Sequence, residues 1–226
     1  MELTLSSDGR FLSVMFERPQ RTLGWALVGA GFGLHRGVVW HYVQRAELPF
    51  EVDPTVLLRE RLAQRGYRDV VGLLTARTLA PYADACAHSG DVRARAIVTV
   101  GLGNALCAGD PVPTHPAAVG TINVLCHVSS PLNEAALIEA LALASEARTA
   151  ALLELDYPSV VSGQPASGTG TDCIVIACPA DGAAQPYAGK HTNVGSALGA
   201  AVRSATSMAS RVWLAEQAPG LELGAN

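Results

Sequence analysis

The chain has 226 residues, 49% of them hydrophobic and 16% charged, with a formal net charge of −4. That length buries a full core without cross-links, and the acidic balance excludes the basic face on which a nucleic-acid partner depends. Aromatic residues make up only 5%, too few for a base-stacking surface.

Taken from the N-terminus, residues 11–16 and 37–43 predict strands, the second rich in β-branched and aromatic side chains. Asp53-Pro54 predicts a helix start, because Asp caps free N–H groups and Pro suits the first turn. That helix carries Leu57, Leu58 and Leu62 and ends at Gly66, a residue type suited to a helix C-terminus. Short apolar runs at 69–76 and 95–100 predict buried strands, and 121–128 reads as another. Ser130-Pro131 predicts a helix lasting to about Leu155, with apolar residues at three- and four-residue steps. A loop rich in Ser, Gly, Pro and Thr follows over 162–171, then a strand at 173–178. The final element is an amphipathic helix from Val194 to about Ala215. Its Gly195, Gly199 and Ala200 fall on one side, as close helix packing requires. Together these predict the α/β class: a single domain of β-sheet layers packed with helices. Its expected limits are residues 21–215, after an N-terminal segment (1–20) without a motif and before a flexible tail (216–226).

Three glycine–polar clusters interrupt the apolar chain: Gly101-Leu102-Gly103-Asn104-Ala105, Gly120-Thr121-Ile122-Asn123 and Gly168-Thr169-Gly170-Thr171-Asp172. One such cluster is an ordinary turn, and the third also fits an anion nest. Three of them at strand ends are what a site built from backbone N–H groups and short hydroxyls requires. A standard phosphate loop is absent, since Gly189-Lys190-His191-Thr192 lacks the upstream glycine, and no third glycine follows Gly101 and Gly103 in register.

The six histidines (His35, His41, His88, His115, His127, His191) show no metal-ligand spacing, so no metal site is assigned. His127 cannot serve Thr121 as a base, because six residues of one strand span about 20 Å. It reads as a core or edge residue. His191, beside Lys190 in the 187–192 loop, is better placed for substrate contact. The five cysteines (Cys86, Cys107, Cys126, Cys173, Cys178) form no C-x-x-C pair, which fits reduced thiols in the cytoplasm. The N-terminus lacks the basic region and apolar run of a signal peptide. The apolar stretch at 23–34 is broken by four glycines and is too short for membrane insertion.

The sequence resembles the adenosylcobinamide amidohydrolase (CbiZ) family. The matching stretches, in order, are residues 101–105, 120–124, 145–152, 168–177 and 187–192, and the similarity covers roughly residues 20 to 210. The resemblance implies hydrolysis of the amide joining aminopropanol to the corrin propionate, giving adenosylcobyric acid in corrinoid salvage. The implied partner is adenosylcobinamide or a related corrinoid, with no nucleic acid and with oligomer formation left open. No cofactor is required, because the cobalt is carried by the corrinoid substrate.

The order of the glycine motifs is also similar to the ornithine acetyltransferase and self-processing aminopeptidase superfamily. That similarity implies Thr121, after Gly120, as nucleophile, with Asn104 near the oxyanion. If the Gly120–Thr121 bond is cut, the freed α-amine of Thr121 supplies the base. If it stays intact, Asp172 and His191 are the first candidates, although Asp172 also fits a role in orienting substrate or capping its turn. Gly101, Gly103, Gly120, Asn123, Gly168, Thr169, Gly170, Thr171, Lys190 and His191 are the expected substrate-binding set. Two other readings stand beside it: a corrinoid-binding or scaffold protein that keeps the pocket without catalysis, and another amide or acyl-transfer enzyme of the same fold.

Overall fold

The computed structural model describes residues 3–113 and 120–217; His115 and residues 218–226 of the expected tail lie outside the described residues. The first strand, β1 (Leu3–Ser7), has no predicted counterpart and pairs antiparallel with the first half of β2 (Phe11–Gly24). β2 continues well past residue 16 because a register shift between Met15 and Gln20 absorbs the polar residues and Pro19 there, which a regular ladder rejects. β3 (Gly31–Tyr42) returns antiparallel to β2 and lies parallel to β4 (Val70–Thr75). The connecting helix α1 (Pro54–Gln64) starts where expected: the Asp53 carboxylate accepts from the N–H groups of Thr55 (2.7 Å) and Val56 (3.2 Å). Beyond its last turn, Gly66 holds a φ of +76°, the left-handed conformation that stops a helix.

β5 (Ala83–Ser89) and β6 (Val92–Val100) form a hairpin. β5 reads Ala-Asp-Ala-Cys-Ala-His-Ser and has little strand propensity of its own; pairing with β6 makes it a strand. Then come β7 (Ala105–Leu106), β8 (Ile122–Val128), α2 (Glu134–Leu153), β9 (Gly168–Thr169), β10 (Cys173–Pro179) and α3 (Asn193–Gln217). α2 starts later than the Ser130-Pro131 signal. Gln185 pairs with that segment, donating to the Pro131 carbonyl (2.8 Å) and accepting from Asn133 N–H (3.1 Å). The Asn133 side chain then caps the helix, accepting from Ala136 N–H at 2.8 Å. On α3, Gly195 packs against the carbonyls of Ala188 and Gly189 as expected, whereas Gly199 faces open space.

The main sheet has the order β4-β3-β2-β10-β8-β6-β5, with β1 also on β2; β3–β4 and β8–β10 are its parallel pairs. Residues such as Val124, Ile174 and Ile176 of its second half pack under Leu137 of α2 and Leu198 of α3. Val39 and Val70 of its first half pack under Leu58 and Leu62 of α1. A third cluster joins the halves, with Leu12, Trp40 and Leu73 against Ile97, Leu125 and Val175. The sheet must curl to do this. Asn123 on β8 donates from Nδ2 to the Leu74 carbonyl on β4 at 3.0 Å, although four inter-strand steps would separate these strands by about 19 Å in a flat sheet. Among the described residues no helix is long and apolar enough to cross a membrane, and all five cysteines are free thiols.

His127 lies inside this curl, 3% exposed, with Nε2 3.2 Å from Gln20 Oε1. Burial is the main cause that pushes its imidazole down to about 4, against roughly 6.5 in an unfolded chain. The unfolded chain therefore binds the proton first. Its stability contribution is intact above about pH 6.5 and declines toward pH 4, by roughly 3 kcal/mol at most. Urea unfolding at pH 7 and pH 4.5 should show the loss, and a His127→Gln chain should show less of it; equal losses would place the acid sensitivity elsewhere.

Candidate functional site

The three glycine–polar clusters converge because the strands that carry them are neighbours. β8 and β10 run parallel at the centre of the sheet, with Asn123 opposite Cys173, so Thr121 and Asp172 arrive side by side at the same end. The two-stranded pairing of β7 with β9 brings the Gly101–Ala105 turn to the same place. Gly101 N–H donates to the Thr121 carbonyl at 3.0 Å.

Asp172 organises the group. Its Oδ1 accepts from Ile122 N–H (3.0 Å) and from the Thr169 hydroxyl, while Oδ2 accepts from Thr169 N–H (3.0 Å) and pairs with the Arg148 guanidinium of α2. The Arg148 and Asp172 side chains are only 11% and 7% exposed. Burial pulls the Arg148 pKa down while the Asp172 charge opposes it. Gly168 makes the pairing feasible, since a Cβ there would meet both Arg148 and Asp172. With both oxygens occupied, and no contact to the Thr121 hydroxyl, the carboxylate is placed to clamp the turn rather than to take a proton from Thr121.

The Thr121 hydroxyl lies 2.7 Å from that of Thr171, which in turn donates to the Gly120 carbonyl at 3.0 Å. Thr171 has one hydroxyl hydrogen, so the Thr121 hydroxyl is the donor in their contact. Gly120 is buried in a tight cradle: an added Cβ would stand 2.6 Å from the Gly101 carbonyl oxygen and 2.8 Å from Gly103 N. Asn104 closes the cradle. Its Oδ1 is buried without a hydrogen-bond partner among the described residues, and its Nδ2 points toward Gly170. An adjacent cleft of about 410 Å³ is lined by Trp25, Cys107, Arg148, Gly168, Thr169 and Asp172, among others. Trp25 Nε1 donates to the Asp172 carbonyl at 2.5 Å.

Of the expected residues, Gly168, Thr169, Gly170 and Asp172 line this cleft. Thr121, Thr171, Asn104 and the glycines 101, 103 and 120 adjoin it without lining it, and three others lie apart. Asn123 is fully buried and spans to β4, because it points to the curled face of the sheet. Lys190 and His191 line a separate cleft of about 510 Å³ with Glu139, Leu143, Glu146 and Tyr187. There Lys190 Nζ pairs with Glu146 Oε1 at 2.5 Å, and the two clefts have no lining residue in common. Among the described residues, no three His, Cys, Asp or Glu side chains gather as metal ligands would.

Residues 2–218 match the family model described as adenosylcobinamide amidohydrolase. The chain belongs to the adenosylcobinamide amidohydrolase family. A protein of that name from Halobacterium salinarum is 39% identical over 89 residues, covering 39% of this chain and 35% of that one. An uncharacterised protein of Methanocaldococcus jannaschii is 34% identical over 86 residues, covering 38% and 33%. The matched segment thus spans about a third of the length of these curated relatives. Among solved structures, a Pyrococcus horikoshii protein aligns at TM-score 0.42 with 10% identity, covering 95% of this chain and 83% of that one. A Burkholderia sp. β-aminopeptidase aligns at 0.41 with 15% identity, covering 90% and 80%.

Arg148 and Trp25 were not singled out by sequence reasoning. Arg148 had one usable signal: it is the only basic residue in the 20 residues of α2, set among Ala and Leu. Trp25 had none, standing in a glycine-punctuated apolar run. Membership of the family directs the first mutational test to the cradle. Gly120→Ala drives a methyl into backbone atoms of residues 101 and 103, a clash that costs roughly 1–3 kcal/mol. A lowered melting temperature is the expected result; an unchanged one would show that the cradle has slack.

Proposed function

We propose that the chain hydrolyses the aminopropanol amide of adenosylcobinamide, releasing adenosylcobyric acid and aminopropanol in corrinoid salvage, with Thr121 as nucleophile. The observation that carries this reading is the partly exposed Thr121 hydroxyl held by Thr171, at the strand end where Asn104 packs against Gly120 and the Asp172–Arg148 clamp closes the neighbouring turn. The hydroxyl oxygen attacks the amide carbon, and the developing oxyanion is met by the Asn104 amide N–H. Collapse breaks the C–N bond, and aminopropanol leaves after taking up the proton lost by Thr121. Water then cleaves the Thr121 ester. The protein supplies no metal in this scheme, since the cobalt belongs to the substrate.

A secondary amide needs its nucleophile activated by a base. The Asp172 oxygens are already engaged, and His191 lines the other cleft. The base in this proposal is the α-amine of Thr121 itself, freed by scission of the Gly120–Thr121 bond. The geometry favours such a step: one hydroxyl of the Thr121–Thr171 pair already donates to the Gly120 carbonyl that must be attacked. Transfer of the Gly120 acyl group from nitrogen to the Thr121 oxygen, followed by water, leaves Gly120 with a carboxylate and Thr121 with a free amine.

Incubating purified protein with adenosylcobinamide and following adenosylcobyric acid and free aminopropanol by mass spectrometry tests the assignment. Stoichiometric appearance of both supports it. Tight binding without product would mark a corrinoid-binding protein and end the enzymatic reading.

A further inference from the structure

The cleft beside Asp172 is too small for the whole substrate just proposed. Its volume is about 410 Å³, whereas a drug-sized ligand already takes roughly 300–1,000 Å³ and an adenosylated corrinoid is much larger. The scissile amide ends a propionate arm, so its carbonyl carbon lies three C–C bonds from the macrocycle, roughly 4 Å. A corrinoid whose amide reaches Thr121 must therefore rest its ring on the protein surface at the mouth of the cleft.

One such surface is apolar. Trp25, Phe32 and Leu34 are 42%, 49% and 57% exposed. Phe32 pairs with Leu23 and Leu34 with Arg21 across the β2–β3 ladder, and directly paired residues project from the same face about 5 Å apart. Leu23 belongs to the core under α2 and α3, which places Phe32 and Leu34 on the helix side of the sheet. Trp25 follows Leu23 by two residues and lines the cleft together with Arg148 of α2. The indole is fixed by its N–H bond to the Asp172 carbonyl, so its ring remains partly open to solvent in a set orientation. The three side chains form a strip that begins at the cleft wall and runs outward along the hairpin. Arg21, beside it, is engaged elsewhere: its guanidinium donates to the Leu132 carbonyl at 3.1 Å.

We propose that Trp25, Phe32 and Leu34 are the platform on which the corrin ring of the substrate docks. This rests on the amidohydrolase reading above, and it makes the strip a determinant of specificity for the macrocycle. An apolar strip suits a ring whose periphery includes methyl groups and neutral amides.

Equilibrium dialysis of adenosylcobinamide, read by its visible absorbance, against wild type, Phe32→Ser, Leu34→Ser and the double variant tests the platform. Each single change should weaken binding roughly 10-fold and the pair up to about 100-fold, with the fold retained by circular dichroism because about half of each side chain already lies in solvent. Val56→Ser, an exposed residue of α1, is the control and should bind like wild type. Wild-type affinity in the double variant overturns the platform, as does a wild-type protein that does not hold the corrinoid at all. A wild-type dimer that these substitutions split into monomers would assign the strip to a second copy of the chain and also overturn it. Binding without hydrolysis by wild type removes the reaction alone, because the dialysis result still decides where the ring rests.

Discussion

On the mechanism proposed above, replacing Thr121 with alanine is expected to lower turnover of adenosylcobinamide by a factor on the order of 10³ or more, the scale seen when a nucleophile is deleted. The fold should survive the change. Thr121 is partly exposed, and the hydroxyl contact it loses to Thr171 is worth about 1 kcal/mol. Thr171 keeps its bond to the Gly120 carbonyl. Circular dichroism and urea unfolding close to wild type are therefore expected alongside the lost activity. Intact mass adds a second readout. Scission before Thr121 divides the 226 residues into pieces of 120 and 106 residues (226 − 120), and the alanine variant should remain one chain. Undiminished turnover in Thr121→Ala would end the nucleophile proposal. An uncut wild-type chain that still turns over would leave Thr121 in place but require another base.

The second large effect concerns the Arg148–Asp172 pair. Taking one partner from a buried ion pair leaves the other charge uncompensated, which costs roughly 3–5 kcal/mol. Arg148→Met should therefore destabilise strongly, because Asp172 keeps its N–H donors but loses its counter-charge. Asp172→Asn should do so as well: the amide nitrogen would turn a donor toward Arg148, Thr169 N–H or Ile122 N–H. Combining the two should recover part of the loss, since neither charge is then left alone. Urea midpoints of the two singles and the double measure this directly. If Asp172→Asn unfolds like wild type, the pair is incidental to the turn. If it is destabilised yet turns over normally once folded, the clamp acts on stability without setting the geometry of the site.

Much of this arrangement could be read from the residues alone, and the reasons it could or could not are physical. The strands at 70–75, 122–128 and 173–179, and the 96–100 half of β6, announce themselves because they are buried on both faces and read as nearly continuous apolar runs. The Asp53 cap and the Gly66 stop are local chemistry. The glycine clusters were legible as a group because three glycine–polar clusters at strand ends are more than ordinary turns require. What was not legible depends on pairing across long separations. β5 is alanine-rich and becomes a strand only against β6; β7 and β9 are two residues each and exist only through one another. Asn123 shares a motif with Gly120 and Thr121, but strand alternation turns it inward to Leu74. Lys190 and His191 stand near the motifs in sequence order, yet α2 separates their loop from the cleft. Arg148 was read as one more helix residue, because nothing local says which strand-end carboxylate it will meet.

The place of β10 in the sheet has a consequence for how the chain is made. Residues 20–24 of β2 pair with β3 on one edge, but the partner of their other edge is residues 175–179, about 150 residues later. During synthesis the β2–β3 hairpin must wait, with one edge unpaired, until nearly the whole sheet has been translated. Unpaired edges of this kind invite association between nascent chains. Topology of such high sequence separation also slows folding. Expression at low temperature or with chaperone support should raise the yield of soluble protein far more than any change confined to the surface of α3. Chains halted before residue 173 should be the species that aggregate.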